Sequence, residues 1–214
     1  MKKMILFVLV LGLTAIYLSF SCSKNDDDDN AGQPGSDDDI SADDDSGSDD
    51  DASDDDIAGF SLSSSSFSDN GWIPAKYTCD AENPANGISP PLSWSGTPEG
   101  TAAFALFLTD PDANDTPHWG LVDIPADATD LEQGISPNGN IMTGAWETLN
   151  YLNEVGYAGP CPPKGDSPHH YTFVLYAIDE LIDKPEHPAK LHDIESIVIL
   201  HSLNQAELIG LYKR

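Results

Sequence analysis

Between positions 25 and 56 the chain carries 16 aspartates, no basic residue and one isoleucine, Ile40. That stretch sets how much of the chain can fold. It buries too little apolar surface to offset the entropy of ordering its backbone. Aspartate triplets at 37–39, 43–45, 49–51 and 54–56 alternate with Ser, Gly and Ala, and their self-repulsion predicts an extended spacer. Carboxylates suit calcium, but the Asp-x-Asp-x-Asp-Gly loop with its closing glutamate is absent, so the spacer reading is kept. Residues 57–214 remain, enough for one domain with its own core. Of the formal net charge of −28, this part contributes 21 acids against six bases. No basic face is available to release counterions from a polynucleotide, which argues against nucleic acid as a partner.

Lys2 and Lys3 precede an almost unbroken apolar run from Met4 to Phe20, which Ser21-Cys22 ends. This is the pattern of a targeting segment, slightly short for a spanning helix. It resembles a bacterial lipoprotein signal cleaved before a lipidated Cys22, with the usual leucine one place early at Leu18 and Ser19 in its position. The Ser-Lys-Asn-Asp-Asp that follows Cys22 is similar to the acidic surface-export signal of Bacteroidota lipoproteins. The expected organisation is a signal segment over 1–22, a disordered acidic linker over 23–58 and one domain over 59–214. A lipid on Cys22 would hold that domain at a membrane of the cell envelope, at the outer membrane or the cell surface. An uncleaved anchor or ordinary secretion are the alternatives. Two cysteines then remain, Cys79 and Cys161, and an oxidising compartment favours their disulfide over two separate buried thiols.

Within the domain, Phe60–Leu62 and Leu92–Trp94 alternate as short strands, and Trp72–Cys79 reads as an extended piece kept off a central position by Pro74. Ala102–Thr109 is apolar throughout, which predicts a strand covered on both faces. Trp119–Ile124 is the next strand. Residues 126–168 are rich in Gly, Pro and Asn with interspersed aromatics, and a long ordered loop region of this kind is usually functional. Tyr171–Ile178 is the clearest strand. Apolar residues then recur at three and four, predicting a helix over 189–203, followed by a short last strand over 207–212. Many strands with one late helix predict a mainly β fold, a sandwich with a helical addition.

Two clusters carry chemistry. Asp110 and Asp112 flank Pro111 where a strand must end, and His118-Trp119 opens the next apolar run. Downstream, Gly159-Pro160-Cys161-Pro162-Pro163 precedes His169-His170-Tyr171. If the two meet, the domain has one pocket. The ordered motifs Ile88-Ser-Pro-Pro-Leu-Ser-Trp-Ser-Gly96, Pro98-Glu-Gly100, Asp110-Pro-Asp-Ala113, His118-Trp119, Gly156-Tyr-Ala-Gly-Pro-Cys-Pro-Pro163 and His169-His-Tyr171 resemble the phosphatidylethanolamine-binding protein (PEBP) family, most of all its bacterial Raf-kinase-inhibitor-like branch. The resemblance implies two antiparallel sheets in a Greek-key sandwich with helix near the C-terminus. It also implies a small anion pocket built from Asp110, Asp112, His118, Gly159, Pro160, His169 and Tyr171. The chain departs from the family pattern in having Asn114 where many members have proline, and His170 where many have arginine.

A naked carboxylate repels phosphate, but it can orient an imidazole and hold it protonated. The expected ligand is therefore phosphate or a phospholipid headgroup such as phosphoethanolamine, with imidazolium on the phosphate and an aspartate on the ammonium. Binding by this route would strengthen in mild acid. Asp110, Asp112, His118 and His169 are also metal-ligand types, though without a compact spacing motif. No Gly-x-Ser-x-Gly is present, and no enzyme activity or cofactor is expected. The alternative function, again implied by the resemblance, is a protein-interaction module that inhibits a protease or another partner.

Overall fold

A computed structural model describes residues 59–82, 87–137 and 139–214. The expected signal segment with Cys22 and the expected acidic linker lie outside the described residues. The fold is a mainly β, two-sheet Greek-key sandwich with one short helix near its end. The strands in chain order are β1 (Ser61–Ser63), β2 (Gly71–Trp72), β3 (Leu92–Ser95), β4 (Ala103–Asp110), β5 (Thr116–Pro125), β6 (Asp130–Leu131), β7 (Trp146–Glu147), β8 (His169–Ile178) and β9 (Ser202–Tyr212), and the helix is α1 (Leu191–Leu200). The small sheet runs β1-β3-β6 and the large one β2-β9-β8-β4-β5-β7. All pairs are antiparallel except β2 with β9, which run parallel.

β4 and β8 lie at the middle of the large sheet, and their composition explains why. Phe104, Leu106 and Leu108, with Tyr171, Phe173 and Leu175, face the small sheet, where Leu62, Leu92 and Trp94 meet them. Ala103, Ala105 and Phe107, with Tyr176 and Ile178, face the other way, against Leu191, Ile194 and Val198 of α1. Both faces of β4 and of the second half of β8 are covered, so they read as continuous apolar runs, as expected of a sheet covered on both sides. Burying a side chain of this size stabilises by about 1.5–3 kcal/mol.

Three elements differ from the sequence reading. The stretch from Trp72 to Cys79 is not extended throughout, because a 3-10 turn occupies Ala75–Tyr77 after Pro74. The helix is shorter than 189–203 and closes when the N–H of His201 bonds to the carbonyls of Ile197 and Val198. The last strand is correspondingly longer than 207–212. Its first half, Leu203 to Gln205, is exposed and carries no apolar alternation to betray it. The cysteines do pair, Cys79 with Cys161, with Cα atoms 5.3 Å apart.

Candidate functional site

The end of β4, the start of β5 and the start of β8 converge at one end of the large sheet. Asp110 closes β4, and Pro111 opens a 3-10 turn over Pro111–Ala113 that Asn114 ends in the left-handed region, at φ 55°. A proline ring holds φ near −65°, so the loop cannot take this shape in relatives with proline there. β5 then starts at Thr116, opposite Asp110.

Register decides where His118 points. Leu108 faces Trp119, but Thr109 faces Pro117, so His118 is an extra residue without a partner on β4. Strict alternation would place His118 and Trp119 on opposite faces. A bulge re-aims one side chain, and both residues pack toward the small-sheet side. The Trp119 ring meets Tyr157 edge-on at 5.6 Å, and the His118 ring meets Tyr171 edge-on at 5.2 Å.

The Gly156–Pro160 segment locks onto this bulge. Gly156 has φ 102°, and a Cβ there would stand 2.7 Å from Ser136 Oγ, so no larger residue fits. The next hydroxyl, of Tyr157, donates to the Tyr77 carbonyl at 2.6 Å. The Ala158 N–H donates to the His118 carbonyl at 2.9 Å, and His118 Nδ1 returns a bond to the Ala158 carbonyl at 2.8 Å. The Pro160 carbonyl accepts the Cys79 N–H at 3.0 Å, beside the disulfide.

Asp110 is 3% exposed, and its Oδ2 accepts His169 Nδ1 at 2.9 Å. Asp110 Oδ1 and the Tyr171 hydroxyl are both buried without a hydrogen-bond partner among the described residues. Burial, then the charge of Asp110 and the hydroxyl's close approach to that carboxylate, push the Tyr171 hydroxyl pKa well above its ordinary value. Asp112 stands apart. Its Oδ2 accepts the His170 backbone N–H at 2.7 Å and His170 Nδ1 at 2.9 Å, and these bonds hold its carboxyl below the usual carboxylate range. Asp112 thus staples the loop to β8, whereas Asp110 bonds the side chain of His169 further along the same end of the sheet. His170, in the place many relatives give to arginine, is exposed and engaged in that staple.

The expectation that neighbouring aspartates hold His118 protonated is overturned. Its ring is 3% exposed, and burial depresses the pKa despite the opposing pull of the Ala158 carbonyl and of Asp110. A carbonyl can only accept, so the proton of the neutral ring sits on Nδ1 and Nε2 offers a lone pair. His118 is therefore no donor to phosphate at neutral pH. The structure adds Tyr151, from the long loop region of residues 126–168, whose ring packs on His118 at 4.8 Å and whose position no local motif announces. Among the described residues no group of three or more His, Cys, Asp or Glu can hold a metal ion, so Asp110, Asp112, His118 and His169 form no such centre.

The depressed His118 has a measurable signature. Below the ~6.5 of free imidazole the unfolded chain binds a proton that the folded chain refuses. The contribution of His118 to stability is complete above that value and is lost as pH falls through the lower folded pKa. In denaturant titrations, His118→Gln should flatten the acid loss of stability relative to the wild type. Parallel losses in both proteins would assign the acid limb to other groups.

The profile of a family described as phosphatidylethanolamine-binding protein matches residues 63–213. The chain belongs to the phosphatidylethanolamine-binding protein family. Among curated relatives, a UPF0098 protein of Methanothermobacter thermautotrophicus is 42% identical over 156 residues, covering 72% of this chain and 99% of its own length. Among solved structures, E. coli YbcL, described as a new member of the mammalian PEBP family, superposes with a TM-score of 0.67 at 30% identity, covering 73% of this chain and 99% of YbcL. CT736 of Chlamydia trachomatis superposes with a TM-score of 0.62 at 31% identity, covering 73% of this chain and 98% of its own. The two clusters that suggested the PEBP resemblance are those the fold joins, at Asp110, His118, Gly159, His169 and Tyr171.

Proposed function

We propose that this PEBP-family protein is a binding protein of the cell envelope, tethered by a lipid on Cys22, whose pocket takes a small zwitterion of the phosphoethanolamine type. The observation that carries the reading is a pair of buried polar atoms at the sheet end, Asp110 Oδ1 and the Tyr171 hydroxyl: neither makes a well-formed hydrogen bond to a described residue, although the hydroxyl comes close enough to Asp110 for the carboxylate to raise its pKa. A ligand ammonium can donate to Asp110 Oδ1 and release the Tyr171 hydroxyl to a phosphate oxygen. A phosphate supplies an acceptor for the Tyr171 hydroxyl, and for His169 when that ring carries both protons. A buried polar group left without a good partner costs about 1–3 kcal/mol, so a ligand that pairs with either group gains from it. The ligand pairs with fixed groups in a rigid frame, with no bond made or broken, which is binding rather than catalysis.

Calorimetric titration of the detergent-purified chain with O-phosphoethanolamine and with inorganic phosphate tests the pocket. The zwitterion should bind more tightly, with a Kd below ~1 mM, and Asp110→Asn should narrow the gap between the two ligands. No heat from either ligand would sink the reading. The tether is tested separately. Cys22→Ala should move the protein from the membrane to the soluble envelope fraction and abolish fatty-acid labelling, and unchanged membrane retention without label in either form would remove the anchor.

A further inference from the structure

His118 is neutral and His170 is turned to Asp112, so the site as built from the sequence motifs has no permanent cation for an anion. The structure supplies one from the other end of the sequence. β9 pairs with β8 so that Tyr212 lies opposite His169, which carries the chain past Tyr212 to the rim of the site. There the Gly165 N–H donates to the Arg214 carbonyl at 3.1 Å. Arg214 Nε donates to both oxygens of Asp80 at 3.1 Å, and Nη2 stands 3.0 Å from Asp80 Oδ1. The hydroxyl of Tyr212 reaches the same carboxylate at 2.7 Å. This leaves Nη1, which lies 3.5 Å from Cys161 Sγ. Sulfur is a weak acceptor, so the Nη1 edge keeps its donor capacity at the Gly159–Cys161 turn. The guanidinium also acts electrostatically on the hydroxyl of Tyr151, the residue packed on His118.

We infer that Arg214, braced by Asp80, is the anion-binding residue of this pocket, receiving a phosphoryl or carboxylate oxygen on its Nη1 edge at the mouth. The inference rests on the pocket reading above and adds to it the source of positive charge. A guanidinium fixed by a carboxylate on one edge retains its other edge for a second acceptor, and it stays charged at every pH the protein meets. The charged groups at this rim include Asp80, the exposed Lys164, which acts on Asp80, and Asp166, which follows Gly165 and stands 3.9 Å from His169 Nε2. Tyr151 and Tyr212, their pKa values raised first by burial, stay neutral.

The test is calorimetric titration of the full chain in detergent with inorganic phosphate and with O-phosphoethanolamine, at neutral pH and at about pH 8.5, well above the ~6.5 of free imidazole. Wild-type affinity should persist at the higher pH. Arg214→Gln should weaken both ligands by about tenfold or more at either pH. Arg214→Lys should recover part of the loss, and Lys164→Gln should change affinity less than about twofold. Wild-type affinity that collapses at the higher pH, or binding by Arg214→Gln within about twofold of wild type, would overturn the role of Arg214 while leaving the pocket itself standing. Loss in Lys164→Gln in place of Arg214→Gln would overturn it equally. No binding by the wild type at either pH would remove the pocket, and this inference with it. The pH comparison needs no variant, so a poorly folding Arg214→Gln does not block the decision.

Discussion

Reduction of the Cys79–Cys161 disulfide should lower the unfolding free energy by about 4 kcal/mol. The bond closes a loop of sequence separation 82 that contains β3 to β7, so most of its effect falls on the unfolded chain, which it keeps compact. In the folded state the same turn has other holds, the Cys79 N–H on the Pro160 carbonyl and the Tyr157 hydroxyl on the Tyr77 carbonyl. Reduction should therefore lower the denaturant midpoint steeply while the native protein keeps its near-ultraviolet signature. With a total stability of about 5–15 kcal/mol for an ordinary domain, the loss is a large share. The measurement is a pair of urea titrations, oxidised and fully reduced, with thiol counting to establish that reduction is complete. An unchanged midpoint would mean that the native contacts alone set the stability.

Truncating Trp119 should cost about as much. It is 1% exposed, its ring meets Tyr157 edge-on, and its indole N–H donates to Glu147 Oε1 at 2.7 Å. Trp119→Ala removes a full ring from a packed face and should cost about 3–5 kcal/mol. Trp119→Phe keeps much of the packing but takes the donor from Glu147. Burial already raises that carboxyl above its ordinary value. A raised carboxyl pKa gives stability that is complete below the unfolded value of 4.5 and is lost as pH rises through the folded value. Without the indole the folded value rises further, so the gap between wild type and Trp119→Phe should widen from acid to neutral pH. A gap that stays constant over that range would show that the indole bond does not support the ionised carboxylate.

These cases show what the sequence could reveal. β4 and β8 are legible because both faces of their central parts are covered, which leaves uninterrupted apolar runs at 103–108 and 173–178. The clusters around Asp110, His118, Gly159 and His169 were legible through their motifs. The charge state of His118 was not, because two opposing effects act on it and only packing settles which wins. Sequence places acids beside the imidazole, whereas the fold seals it between Tyr151, Tyr171 and the Ala158 carbonyl. Arg214 carried no local signal, since its link to Asp80 spans 134 residues and follows from the pairing of β9 with β8. The first half of β9 has no sequence signal, because exposed Asn204 and Gln205 have no core to alternate toward.

The bulge at the start of β5 gives this site an unusual dependence on counting. His118 reaches the small-sheet side because one more residue separates Trp119 from Thr116 than separates Leu108 from Asp110. Exchanging Pro117 for another residue leaves that surplus intact. Deleting Pro117 removes it, and His118 would then lie opposite Thr109 and turn to the face that α1 covers. Lineages derived from this chain can thus vary the letters at this corner far more freely than its length, and a single-codon gap there would separate His118 from Tyr171 without changing any residue of the site.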